Sequence, residues 1–191
     1  MERHIRRFLN KLSFASLPLP LSSSSSSSSK PYKPSSNDWK KKLSSFINFF
    51  QSIRDLGLLH NHTKVICISA GVGHEVMALS HMGVHDVTGV ELIDSPPLVS
   101  RVDPHSLPFF DHVFYLAFTA HLAEALFPSR FVYEMERAVR PNVVCVIVVE
   151  ECGDYEVKEI VGLFMKSRFV NSINVTLTRL KMTQILMKRT S

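Results

Sequence analysis

The chain is 191 residues long, enough for one domain of ordinary size and too short for two with separate cores. Hydrophobic residues make up 45%, which excludes wholesale disorder. The net charge of +5 is uneven: residues 1–63 hold ten bases and three acids, residues 64–191 twelve bases and fourteen acids, so no nucleic-acid-binding role is expected of the domain.

Residues 1–38 are of low complexity. They begin with the basic Glu2-Arg-His-Ile-Arg-Arg-Phe-Leu-Asn-Lys-Leu12, pass through Leu17-Pro-Leu-Pro-Leu21, and continue into eight serines, Ser22 to Ser29. Scattered Arg, abundant Ser and a single acid in the first 37 residues suit an organellar transit peptide, mitochondrial or plastid. A solvated tail is the other reading, which leaves a cytoplasmic or membrane-associated protein open. From Trp39 the pattern becomes helical: Trp39, Leu43, Phe46, Phe50 and Ile53 share a face over residues 39–58, with Lys40, Lys41 and Lys42 off it. That stripe predicts a helix covering a sheet, with a membrane-surface helix as the alternative.

After Gly57 strand-like runs (64–69, 86–93, 112–119, 142–150, 171–178 and 182–188) alternate with helical patterns (75–82, 128–139 and 155–166). Pro128 suits the first turn of the second helix, Pro141 its end, and Asp154 the N-cap of the third. Such alternation predicts an α/β domain over 39–191, a mostly parallel sheet covered on both faces. The last two strands, separated by three residues, predict a C-terminal antiparallel hairpin. The longest apolar run, Val143 to Val149, falls far short of the ~20 residues that a membrane span needs, so no span is expected. The odd set Cys67, Cys145 and Cys152, without a CxxC, reads as buried reduced thiols.

The segment that carries chemistry is Lys64-Val-Ile-Cys-Ile-Ser-Ala-Gly-Val-Gly73, an apolar strand entering a glycine turn just before a helix. Glycine admits positive φ and lets a ligand approach the main chain, and the N–H groups opening the helix face it. Glu91 ends the next strand, where a carboxylate can accept from both ribose hydroxyls of a nucleoside; the plainer reading is a solvated strand end. Asp103-Pro-His-Ser-Leu-Pro-Phe109 and Glu134-Met-Glu-Arg-Ala-Val-Arg-Pro141 follow in order, the latter before the Val-rich strand.

This series resembles the methyltransferase type-11-like branch of the class I S-adenosylmethionine-dependent methyltransferases over residues 60–190. The phrases Asp94-Ser-Pro-Pro-Leu98 and Ala120-His-Leu-Ala-Glu-Ala-Leu-Phe127 look closest to a plant group. The resemblance implies a Rossmann-like methyltransferase sandwich that binds S-adenosyl-L-methionine. It implies that Ser69, Gly71 and Gly73 line the methionine part, that Glu91 holds the ribose and that Asp103 faces the adenine amino group. His121, beyond the fourth strand, is the candidate base, with a purely structural histidine as the alternative. The acceptor is unknown, a small molecule being expected.

The chain departs from the family pattern at Cys67 and Ser69, where an acid near the first glycine is usual, and at Pro104, which has no N–H to offer adenine. Tyr115 and Asn142-Val143 also replace usual residues. Eleven residues between Glu91 and Asp103 are too few for the normal second helix plus third strand, which predicts a fold compressed there and a shallower or incomplete adenine side. These departures support an alternative, a weak or inactive methyltransferase-like interaction module. A nicotinamide enzyme fits worse, because Val76 occupies that motif's third glycine position. His60, His62, His81 and His85 assemble no ligand set, so no metal is expected, and no Gly-x-Ser-x-Gly elbow is present.

Overall fold

A computed structural model describes residues 37–191; the predicted leader lies, through residue 36, outside the described residues. Helix α1 (Asn37–Asp55) comes first, followed by β1 (Val65–Ile68), α2 (His74–His81), β2 (Val87–Glu91), β3 (Val99–Arg101) and β4 (Phe114–Thr119). A short 3-10 turn at Leu122–Glu124 leads into α3 (Pro128–Ala138), β5 (Val139–Glu150), α4 (Asp154–Val161), β6 (Ser167–Leu177) and β7 (Leu180–Arg189). The strands form one seven-stranded sheet in the order β3-β2-β1-β4-β5-β7-β6. β1 to β5 are parallel, and β7 runs antiparallel to both β5 and β6, as the closing hairpin predicted.

Two apolar layers explain why these residues form this sheet. Along β5 the side chains alternate: Val144, Val146 and Val148 pack under α1 and α2, while Cys145, Ile147 and Val149 pack under α3 and α4. On the first face Phe46, Phe49, Phe50 and Ile53 of α1 meet Phe118 of β4, whose ring lies 4.9 Å from that of Phe50. The amphipathic stripe therefore covers the sheet. On the second face Phe131, Met135 and Ala138 of α3 join Val157 and Ile160 of α4. Cys67 and Cys145 are buried, Cys152 is half-buried, and all three thiols are free. No helix among the described residues is long and apolar enough to cross a membrane.

Several predicted boundaries shift, each for a local reason. Between β2 and β3 the helix is absent, yet the third strand survives as three residues because Gly89, Val90 and Glu91 offer a free parallel edge to Val99, Ser100 and Arg101. Pro141 does not close α3: the helix stops at Ala138, and β5 begins at once with Val139 paired to Phe114, Pro141 lying inside the strand before a register shift. The N-cap of α4 is Gly153 rather than Asp154, its N–H donating to the Glu156 carboxylate at 3.0 Å. α4 also ends early, at Val161, so β6 starts at Ser167 and pairs with β7 along its whole length. The hairpin turn is only two residues, Thr178 and Arg179, with φ of 50° and 72°. Two-residue hairpins favour such angles, but glycine or asparagine usually takes them, and each residue here bears about 1–2 kcal/mol of strain.

Candidate active site

The strand order reverses between β1 and β4, the place where open α/β sheets bind ligands beyond the carboxyl ends of their strands. A cavity of about 310 Å³ lies there. Its floor is made by the ends of β1, β4 and β5 through Ala70, Gly71, Ala120, His121 and Glu150. Lys42 and Phe46 of α1 form one wall, and the β6–β7 turn another through Thr178 and Leu180. The ring of His74 lies nearly parallel to that of Phe46 at 6.4 Å and packs against Trp39 with centroids 4.1 Å apart and a tilt of 34°. Burial, helped by the positive charge of Lys42, lowers the His74 pKa to about 4, so this ring is uncharged at neutral pH.

The glycine turn and the strand-end acid meet. Ser69, Gly71 and Gly73 have φ of 57°, 52° and 89°, left-handed at alternate positions. The turn is closed by the Gly73 N–H donating to the Ala70 carbonyl at 2.8 Å, while the Ala70 N–H donates to the Val90 carbonyl at 3.0 Å. The Gly71 N–H donates to Glu91 Oε2 at 3.3 Å, and the Leu92 N–H to Glu91 Oε1 at 2.7 Å. A Cβ on Gly71 would meet nothing within 4 Å, so its face is open. Gly73 differs: a Cβ there would lie 2.7 Å from Leu98 Cβ and 3.1 Å from Val99 Cγ2. Its small size admits the β2–β3 connection against the helix start. Of the residues expected at the site, Gly71 and His121 line the cavity and Glu91 adjoins it through Gly71, whereas Ser69, Gly73 and Asp103 lie outside its lining.

Asp103 occupies a separate network. Its Oδ1 accepts from the His105 N–H at 2.8 Å and from His105 Nδ1 at 3.0 Å. His105 Nε2 accepts from the Phe127 N–H at 3.3 Å, so the neutral ring donates through Nδ1. The His105 N–H, more than the ring, holds the Asp103 carboxyl below its ordinary pKa. Half of the Asp103 side chain remains exposed.

The sequence reading missed Glu75, in the first turn of α2. This glutamate is 3% exposed and lines the cavity. Burial raises its pKa to about 7, the negative charge of Glu91 adding to the effect, while His121 and the residue's own N–H oppose it. Among the described residues no cation is in ion-pair contact with it. The available signal was the acid two residues beyond Gly73, which reads as a solvated helix position until the helix is docked. His121 Nδ1 lies 3.2 Å from Glu124 Oε1. Burial works against its protonation, yet the Glu124 hydrogen bond and the charges of Glu124, Glu75 and Glu91 carry its pKa above the usual value. The site thus holds a cation-seeking carboxylate, a backbone cradle and an imidazole of raised basicity. The aromatic wall and the open face of Gly71 leave room for an organic cation.

No family model matches the chain, and no curated protein does. Solved structures do. A SAM-dependent methyltransferase from Aquifex aeolicus is 16% identical with a TM-score of 0.60, over 82% of this chain and 98% of that one. The 1,6-didemethyltoxoflavin-N1-methyltransferase of Burkholderia thailandensis, solved with 1,6-didemethyltoxoflavin and S-adenosylhomocysteine, is 17% identical with a TM-score of 0.61, over 81% and 82%. The [4+2]-cyclase SpnF is 12% identical with a TM-score of 0.62, over 75% and 81%. The resemblance to a plant group gains no support from these likenesses. The strand order and the matched structures together establish the architecture, a Rossmann-like class I methyltransferase sandwich.

Proposed function

We propose that the protein is an S-adenosylmethionine-dependent methyltransferase acting on a small acceptor. One observation carries the reading: the switch-point cavity combines the open backbone of Gly71, bonded to Glu91, with a buried carboxylate, Glu75, that has no ion-pair partner among the described residues. A carboxylate buried in that way favours a positively charged occupant. The cofactor carries both a sulfonium and an ammonium, and when bound it supplies an electrophilic methyl group. Glu75 would hold the ammonium, taking the role of the acid missing at Cys67 and Ser69. The backbone of residues 69–73 would border the methionine part, Glu91 the ribose, and Asp103 the adenine amino group. His121 would take the acceptor proton above its raised pKa, and below it would stay protonated against Glu124. Positioning and exclusion of water account for much of such catalysis, for which the apolar wall of Phe46 and His74 is suited.

A second reading, an interaction module that has kept the fold, is favoured by the packing of Leu98 and Val99 on Gly73. The presence of a cyclase among the matched structures also shows that this fold does not fix the reaction. Calorimetric titration with S-adenosylhomocysteine separates the readings. Binding is expected in the wild type and is expected to be lost in Gly71→Asp. There the new side chain enters open space, at a cost of about 1–2 kcal/mol for the left-handed backbone that a melting curve of the variant would read, and its charge stands beside Glu91. No heat at millimolar ligand, or equal affinity in the variant, would transfer the case to the module.

A further inference from the structure

A second depression lies outside the cavity mouth, and its chemistry differs sharply from that of the cavity. It is a groove of about 600 Å³ between the first half of α1 and the β6–β7 turn. Lys40, Lys41 and Arg179 line it together with Ser44, Asn48 and Thr176, and its wall contains neither a carboxylate nor an apolar side chain. Residues 37–191 hold sixteen bases and sixteen acids, so three cations around one groove are a local asymmetry. The nearby acid, Asp38, pairs with Lys42 at 3.4 Å.

The groove is built across a large sequence separation. The Thr178 N–H donates to Ser45 Oγ at 2.7 Å, fastening the turn to α1 and keeping Arg179 on the same groove as the two lysines. Thr178 and Arg179 both hold the left-handed backbone of the tight turn, so Arg179 stands at its tip with its side chain exposed. A narrow cleft of about 90 Å³, lined by Asp38, Lys41, Lys42, Ser45, Thr178 and Arg179, lies beside it, its one acid being the Asp38 that pairs with Lys42. Lys42 and Thr178 also line the cavity, and Lys41, Ser45 and Arg179 also line the groove, so the cleft adjoins both.

We propose that the methyl acceptor carries a phosphate-class anion, which the groove of Lys40, Lys41 and Arg179 holds while the rest of the acceptor reaches the cavity through the cleft. This rests on the methyltransferase reading of the cavity. A planar guanidinium grips a tetrahedral oxyanion through paired hydrogen bonds, ammonium groups add charge, and hydroxyl and amide groups complete the donors. Three cations on the groove itself, with the nearby Asp38 paired to Lys42, match a dianion better than a single carboxylate. The groove has no aromatic ring on which bases could stack and no apolar side chain to enter a bilayer, so a small anion fits it better than a nucleic acid or a membrane does.

The test titrates the full chain with pyrophosphate in the presence of saturating S-adenosylhomocysteine, and separately with S-adenosylhomocysteine alone. The wild type is compared with Lys40→Ala/Lys41→Ala/Arg179→Ala and with Arg179→Gly, which removes the cation while easing the turn. Pyrophosphate affinity is expected to fall at least about tenfold in the triple variant and severalfold in Arg179→Gly, since charged hydrogen bonds are lost. S-adenosylhomocysteine affinity should stay within about twofold, because these side chains lie outside the cavity lining. Absence of pyrophosphate binding at millimolar concentration, or equal binding in the folded variants, overturns the proposal. So does a single-stranded oligonucleotide or an anionic vesicle that binds in a groove-dependent way where pyrophosphate fails. Groove-dependent pyrophosphate binding without any S-adenosylhomocysteine binding supports the anion site and rejects methyl transfer, so the two failures are distinguishable.

Discussion

Glu136 on α3 and Glu75 on α2 are hidden from solvent to similar degrees, 1% and 3% exposed, yet their surroundings are opposite. Glu136 accepts from the Met165 and Lys166 N–H groups at 3.2 and 2.9 Å and from Ser167 Oγ at 2.6 Å, pinning the start of β6 to the helix. Two residues earlier Glu134 accepts from the Leu107 N–H at 2.8 Å and from Arg137 at 2.7 Å. Arg137 in turn donates to the carbonyls of Leu107 and Phe109 and to Asp111, and the carboxylates of Glu134 and then Asp111 raise its pKa further. Glu75 has no comparable set, and its pKa rises to about 7. A buried charge with full hydrogen bonding fastens a fold, whereas one without a paired cation is a demand directed at a ligand.

The sharpest way to break this comparison is at the fastened end. Arg137→Ala leaves Glu134 buried without its cation and frees two carbonyls, and is expected to cost about 3–5 kcal/mol in denaturant unfolding. A loss under about 1 kcal/mol would mean that the α3 network is ornamental. At the other end Glu75→Gln should act in the opposite sense on stability. A carboxyl whose folded pKa lies above its unfolded value contributes fully below about pH 4.5, and that contribution fades as pH climbs to about 7. The ligand-free wild type is therefore handicapped at pH 8 by on the order of 3 kcal/mol. Glu75→Gln should melt a few degrees higher than wild type at pH 8, with the gap closing near pH 4.5. The same variant should lose S-adenosylmethionine affinity by at least about tenfold, as a charge-assisted contact disappears. A rise in melting temperature with unchanged affinity would separate Glu75 from the ligand.

A smaller effect concerns pH alone. Wild-type affinity for S-adenosylmethionine should increase as Glu75 ionises between about pH 6 and 8, and Glu75→Gln should flatten the curve in titrations across that window. Smallest of all, Ser69→Gly relaxes a left-handed serine at the edge of the turn, with an expected gain of about 0.5 kcal/mol after the added chain entropy of glycine. Such a gain with unaltered binding would identify Ser69 as scaffold rather than contact.

The sheet was legible in the sequence because its apolar runs carry their own period. Val143 to Val149 reads as a central strand, and α1 shows its face through Trp39, Phe46, Phe50 and Ile53. What was illegible depended on pairing and docking. Three residues of β3 carry no pattern, and exist as a strand because β2 offers an edge. Pro141 looked like a helix end, since nothing in the sequence showed that Val139 would pair with Phe114. At the candidate site the turn at Gly71 and the acid at Glu91 were readable from spacing. The packing of Leu98 on Gly73, the hold of Asp103 on His105 and the burial of Glu75 needed distant residues to be brought together. The basic groove was hardest, because Ser45 and Thr178 are 133 positions apart.

The placement of α1 sets a limit on how this chain can be trimmed. Trp39, Lys42, Ser45 and Phe46 reach respectively the His74 ring, the cavity, the hairpin turn and the cavity again. Shortening the chain beyond Asn37 removes contacts that α1 makes with the sheet. A cut a dozen residues into α1 would take Trp39, Lys42 and Phe46 together, stripping one wall from the switch-point cavity and part of the apolar layer from the sheet beneath it.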